Sequence, residues 1–198
     1  MKVFSWFQVS LTAVLLAFML SAEANAAPAP RNPASDDTYT ADEIVGKASD
    51  FFGATTEAVA KAIEKVFAEK GRPNAYIVGS EASGAIGVGL RYGEGDLYMK
   101  SAGVRTTKVY WQDPSIGFDV GGNASKSFTL VYNLPNPDTI FERFPGVDGS
   151  AYFVAGISVN YQQNGRIILA PMRTGVGLRG GISVGYLAYS RERNFLPF

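Results

Sequence analysis

Apolar side chains recur at every second position in most of the chain after residue 75, and this period limits the fold more than any other feature. The clearest run places four of them on one side: Ile86, Val88, Leu90 and Tyr92. Similar runs cover residues 128–132, 153–161 and 176–186. A period of two is that of a β-strand with one buried face. Asn164-Gly165 between two such runs predicts a type I′ hairpin.

The number and spacing of these runs predict a small soluble antiparallel β-barrel of about eight strands over residues 73–198. The 22 glycines and the aromatic content of 13% agree with a β-rich fold that has many tight bends. Six residues of the apolar positions are expected to point into the barrel: Val88, Leu90, Leu130, Val159, Leu178 and Val184. Phe141 and Phe144 are expected to hold the long proline-containing excursion at 134–150 against the surface.

Two amphipathic helices are predicted before the first strand. Thr40-Ala-Asp-Glu43 has the sequence of a capping box, and a helical apolar face follows it until Gly53. A second helix is expected to begin near Thr55 or Thr56 and to end at Gly71. Residues 39–72 therefore form a predicted helical segment that packs on the barrel.

Residues 1–26 have the three parts of a secretory signal peptide. Lys2 supplies the positive charge, residues 9–20 form the apolar stretch, and Ala24-Asn25-Ala26 gives the cleavage pattern. An uncleaved anchor is the alternative, but an apolar stretch of about 12 residues is shorter than the roughly 20 that a span needs. We therefore expect export to the periplasm with cleavage after Ala26, followed by a flexible leader at 27–38.

The composition excludes several kinds of chemistry. The chain has no Cys and no His, so it lacks thiol nucleophiles, disulfides, Cys/His zinc sites and the usual general base near neutral pH. Basic and acidic residues balance at 18 each, which gives no indication of a nucleic-acid partner. Glu94 and Asp96 fit a hairpin turn better than a catalytic pair. We predict that the protein is not an enzyme and holds no cofactor or metal.

A ligand site is predicted on the glycine-rich side of the strands. Arg91, Arg173 and Arg179 fall at the positions that alternate with the apolar ones. A cationic side chain beside bare glycine backbone can receive an anionic head group, and Tyr92 and Glu94 adjoin Arg91. The alternative is that these arginines are solvated or ion-paired.

The segment from Ala85 to Gly95 resembles the glycine-rich signature of SYLF lipid-binding domains, and Gly121-Gly122-Asn123 is similar to a later segment of theirs. The whole chain resembles the alphaproteobacterial envelope integrity protein A (EipA) family. That resemblance implies a periplasmic eight-stranded β-barrel that supports envelope integrity, with no catalytic residues to carry over. The SYLF resemblance implies an anionic lipid ligand. The predicted function is therefore non-enzymatic support of the envelope by binding an anionic lipid, a lipopolysaccharide-type component or a glycan.

Two alternatives stay open at this point. One is an integral outer-membrane barrel ending at Phe198, although Pro197 and the charges of Arg191-Glu192-Arg193 interrupt an alternating last strand. The other is a hydrolase of envelope polymers, whose paired carboxylates only folding would bring together. The sequence does not identify the ligand, protein partners or the oligomeric state.

Overall fold

The computed structural model describes residues 37–53, 56–86, 88–103, 105–115, 123–174 and 185–194. The predicted signal peptide, nearly all of the predicted leader, the Gly121-Gly122 pair, and Arg179 lie outside the described residues. Within these ranges, no helix combines the length and the apolar content that crossing a membrane requires.

In the part of the chain that the structure describes, two helices precede the sheet, and their ends follow from local sequence. Helix α1 spans Ala41–Phe52 and helix α2 spans Thr56–Lys70. The backbone N–H of Glu43 donates to the Thr40 hydroxyl, and the Glu43 carboxylate accepts from the backbone N–H of Thr40. Gly53, with φ of 62°, ends α1 in the left-handed conformation that glycine adopts without strain.

Among the described residues, ten strands form one antiparallel sheet. They are β1 (Ala75–Ile86), β2 (Val88–Met99), β3 (Thr106–Ser115), β4 (Asn123–Tyr132), β5 (Arg143–Pro145), β6 (Tyr152–Val154), β7 (Ile157–Val159), β8 (Gln162–Asn164), β9 (Ile167–Arg173) and β10 (Tyr186–Ser190). The order is β5-β10-β3-β2-β1-β4-β9-β7-β6, and β8 also pairs with β9. An isolated bridge between Gly146 and Gln162 joins the β5 end to β8, so the sheet curls round on itself. The predicted mainly β, barrel-like architecture with two preceding helices is confirmed.

Apolar side chains pack on both faces of this curled sheet. The inner face is filled from nearly every strand, for example by Ile77, Leu97 and Leu169, and Phe144 joins them. On the outer face, Phe128 and Leu130 pack with residues of α1 and α2. The expectation that Leu130 and Val159 point into the barrel is wrong, because both belong to this outer layer. The side chains of Val88, Leu90, Leu178 and Val184 lie outside the described residues.

Glycines make room inside the barrel for the indole of Trp111. A Cβ atom on Gly93 would lie 2.0 Å from Trp111 Cε2, and one on Gly79 would lie 2.6 Å from Trp111 Cη2. The glycine positions of β2 therefore face the interior. Glu94 and Asp96, which were expected in a hairpin turn, lie within β2 and pair with Ser80 and Val78 of β1.

Candidate functional site

Four charged side chains meet inside the barrel on four different strands. Arg173 Nε donates to Glu81 Oε2 at 2.8 Å, and Arg91 Nη1 donates to Asp113 Oδ2 at 2.9 Å. The cross-pairs are longer, 3.6 Å from Arg91 Nε to Glu81 Oε2 and 3.7 Å from Arg173 Nη2 to Asp113 Oδ2. We call these residues the interior charge cluster. Two cations and two anions alternate in it, and their formal charges cancel.

Electrostatics keep Glu81 and Arg173 of this cluster ionised. Burial alone would raise the pKa of the Glu81 carboxyl, but the guanidinium groups of Arg173 and Arg91 outweigh it, so the pKa lies below its ordinary value. Burial would likewise lower the pKa of Arg173, and the carboxylates of Glu81 and Asp113 raise it instead. The Trp111 indole N–H also donates to Glu81, at 3.0 Å. Glu81 is therefore deprotonated and Arg173 protonated near neutral pH, so Glu81 is not poised to donate a proton there.

The structure separates the residues of the predicted ligand site. Arg91 and Arg173 come together, but inside the barrel, where Glu81 and Asp113 balance their charges. Tyr92 and Glu94 point to the outer face of the same strand. Sequence reasoning did not identify Glu81 or Asp113, since the cluster joins residues from distant strands.

A pocket of about 390 Å³ lies on the outer face of β1, β2, β3 and β10, and we call it the wall pocket. Its lining residues are Ser80, Glu81, Ala82, Tyr92, Gly93, Glu94, Tyr110, Trp111, Gln112, Ser190, Arg193 and Asn194. Tyr92 and Tyr110 contribute aromatic rings, and the backbone of Gly93 lies against the indole of Trp111 on the inner side of the strand. The wall pocket thus contains two of the predicted site residues, Tyr92 and Glu94.

The polar groups of the wall pocket come from strands and from the segment after β10. Arg193 forms an ion pair with Glu94, and its guanidinium carbon lies 5.8 Å from the centre of the Tyr110 ring. The Gln112 side-chain amide donates to the backbone carbonyl of Asn194 at 2.7 Å. Aromatic rings with a few fixed polar groups in a concave site are typical of ligand recognition. In the described ranges, no group of three or more acidic side chains is placed to hold a metal ion.

Comparisons with known proteins identify one family and one similar solved structure. A family model described as envelope integrity protein A matches residues 37–198. The chain is 46% identical to a beta-barrel-like, uncharacterized protein from Brucella abortus of known crystal structure, with a TM-score of 0.72. That match covers 82% of this chain and 99% of the other. No curated protein matches the chain. The local resemblance to SYLF domains stays a prediction.

Proposed function

The chain belongs to the envelope integrity protein A family, and on that premise we propose that it is an exported, non-enzymatic protein that supports envelope integrity by binding an uncharged glycan segment in the wall pocket. The wall pocket carries this proposal. A sugar ring presents apolar C–H faces, which pack on aromatic rings, and hydroxyls, which bond to planar polar groups. Tyr92 and Tyr110 supply the rings, and Gln112 and Glu94 supply the polar groups.

The charge of the wall pocket favours a glycan over an anionic lipid. The outward-facing charges of its lining are one acid, Glu94, and one base, Arg193, which are paired with each other. Glu81 also borders the pocket, but its side chain is buried in the barrel interior and paired with Arg173 and Arg91. Arg91 and Arg173, the cations expected to receive an anion, are neutralised by Glu81 and Asp113. The described lining therefore offers an anionic head group no cation without an acidic partner, and we make anionic lipid an outcome of the test.

The interior charge cluster supports the non-enzymatic part of the proposal. A hydrolase of envelope polymers needs one carboxyl group whose pKa is raised enough to protonate a leaving group. The pKa of Glu81 is instead lowered by Arg173 and Arg91, which outweigh its burial. Glu81 therefore fits a structural role better than that of a general acid.

Export is proposed from the segment at 1–26. The mature chain should begin at Ala27, and the intact mass of protein released from the periplasm by osmotic shock, without detergent, tests this. Recovery only in detergent-extracted membranes would favour the outer-membrane barrel. A mass that includes residues 1–26 would favour the uncleaved anchor.

Binding can be followed through Trp111. The sequence has two Trp residues, and cleavage after Ala26 would remove Trp6 and leave Trp111 beneath the wall pocket. We would titrate the mature chain with two neutral tetrasaccharides, one of N-acetylglucosamine and one of glucose, and separately with vesicles containing anionic phospholipid. We expect saturable binding of at least one tetrasaccharide.

The matched variants are Tyr92→Ala and Tyr110→Ala, with Phe153→Ala as control. Phe153 is an aromatic side chain that is 52% exposed and lies on β6, outside the wall pocket. We expect each pocket variant to weaken binding about fivefold, since a lost aromatic contact contributes about 1 kcal/mol. If the protein binds only the vesicles, and this binding weakens with salt, the ligand is an anionic lipid and not a glycan. Cleavage of either sugar would show that the protein is an enzyme.

A further inference from the structure

The segment that follows β10 forms one edge of the wall pocket. Residues 191–194, which we call the strap, lie next to Ser190, and both Arg193 and Asn194 line the pocket. Strand β10 itself is fixed by backbone pairing to β3 and β5. The strap lies beyond that pairing, so the described backbone pairing does not hold it to the sheet.

Exposed contacts hold the strap in place. Arg191 pairs with Asp138 at 2.8 Å, with side chains that are 61% and 73% exposed. Arg193 pairs with Glu94, with side chains that are 58% and 40% exposed. Further contacts are the hydrogen bonds from Gln112 to the Asn194 carbonyl and from Ser190 Oγ to the Glu192 carbonyl. The guanidinium groups of Arg191 and Arg193 also lie over the rings of Phe141 and Tyr110. Exposed ion pairs contribute little to stability, and salt screens them.

Arg193 uses the same groups of the wall pocket that a ligand would use. It covers the ring of Tyr110 and engages the carboxylate of Glu94. We propose that Arg193 is an internal latch, which the ligand displaces when it binds. This inference rests on the proposed function, since it describes how the wall pocket is opened to its glycan. Release of the latch frees the Glu94 carboxylate to accept sugar hydroxyls.

The latch predicts an unusual salt dependence. The affinity for an uncharged ligand normally changes little with salt concentration. The affinity of a cationic site for an anion normally falls as the salt concentration rises. Here salt weakens the competing Arg193–Glu94 pair, so binding of a neutral glycan should become tighter. We expect a gain of about two- to fivefold between low and high ionic strength, which is the factor that one exposed ion pair supplies.

The test uses the full mature chain and the neutral tetrasaccharide that binds, at 20–500 mM salt as a rough range around the physiological screening length. Arg193→Ala removes the latch. Glu94→Gln removes its charge but keeps a carbonyl that accepts hydroxyls. Both variants should bind about two- to fivefold more tightly than wild type at low salt and lose the salt dependence. Arg166→Ala, an exposed arginine in the turn before β9, is the matched control and should behave as wild type.

The outcomes separate the latch from the proposed function. If the wild type binds neither tetrasaccharide at any salt concentration while both variants and the control remain folded, the glycan function fails. If the wild type binds with no salt dependence and both variants match it, the latch is wrong and the glycan function stands. If Arg193→Ala binds more weakly at every salt concentration, Arg193 is a ligand contact and not a latch.

Discussion

Arg173 Nε donates to Glu81 Oε2 at 2.8 Å, across 92 residues of sequence. The contact joins β9 to β1 inside the barrel. Arg91 and Asp113 form a second such link, between β2 and β3. Both members of the first pair are buried, with exposures of 4% for Arg173 and 2% for Glu81. A buried charge is costly unless its partner is present, so these links make the barrel depend on four residues together.

The first prediction concerns the loss of one partner. Arg173→Met should lower the free energy of unfolding by about 3–5 kcal/mol, because it leaves a buried carboxylate without its closest cation. Urea denaturation measures the change. The double variant Glu81→Gln/Arg173→Met should be more stable than Arg173→Met alone. Lys61→Met breaks an exposed pair with Glu57 and should cost less than about 1 kcal/mol. A similar small change for Arg173→Met would show that the interior pairs do not bind each other in solution.

The second prediction concerns the glycine above Trp111. Gly93→Ala would place a methyl group 2.0 Å from the indole, so the ring or the strand must shift. We expect a loss of about 1–3 kcal/mol, the usual range for overpacking a core, together with a shift in Trp111 fluorescence. Gly46→Ala is the control, since its added methyl group meets nothing within 4 Å in helix α1. That change should stabilise the protein by about 0.5–1 kcal/mol. Equal stability of wild type and Gly93→Ala would contradict the close packing.

The period of two predicted the strands but not which face is inside. Val131 lies in the inner layer and its neighbour Leu130 in the outer one, and both are fully buried. Since the helices cover one face of the sheet and the barrel closes over the other, apolar residues occur on both sides of a strand. The alternation then separates the residues of the two faces, but it does not show which face lies inside the barrel. The glycines at 93 and 95 were expected in a hairpin turn and instead lie within β2, where Gly93 makes room for Trp111 and Gly95 packs against the backbone of β1.

The site was harder to predict than the fold, because its parts come together only in the tertiary structure. Glu81 and Asp113 have no local motif around them, and each meets its arginines from another strand. Glu94 was singled out for its neighbours in the sequence, yet its partner is Arg193, 99 residues away. A pairing across the barrel depends on register and curvature, which a single strand pattern does not contain.

The third prediction tests the outer layer. Leu130→Ala should lower the free energy of unfolding by about 2–5 kcal/mol, because it leaves a cavity between the sheet and the helices. Val147→Ala is the control, since Val147 is 43% exposed, and it should change stability by less than about 0.5 kcal/mol. Denaturant midpoints of the two variants give the comparison. A Leu130 variant as stable as the Val147 variant would show that the helices do not pack on this face.

The last prediction concerns acid. Glu43 accepts a hydrogen bond from Lys100 and another from the backbone of Thr40, and these lower the pKa of its carboxyl from 4.5 to about 2. The folded state therefore binds the proton more weakly than the unfolded chain does. The stability that Glu43 contributes is complete above pH 4.5 and is lost as the pH falls from there through about 2.

Melting temperatures of wild type and Glu43→Gln should differ at pH 6 and converge as the pH approaches about 2. In a Lys100→Met background, which removes the largest cause of the shift, the effect of Glu43→Gln should be smaller and should disappear at a higher pH. A difference that stays constant from neutral pH down to about 2 would mean that the Glu43–Lys100 contact, which ties α1 to the segment after β2, does not form in solution.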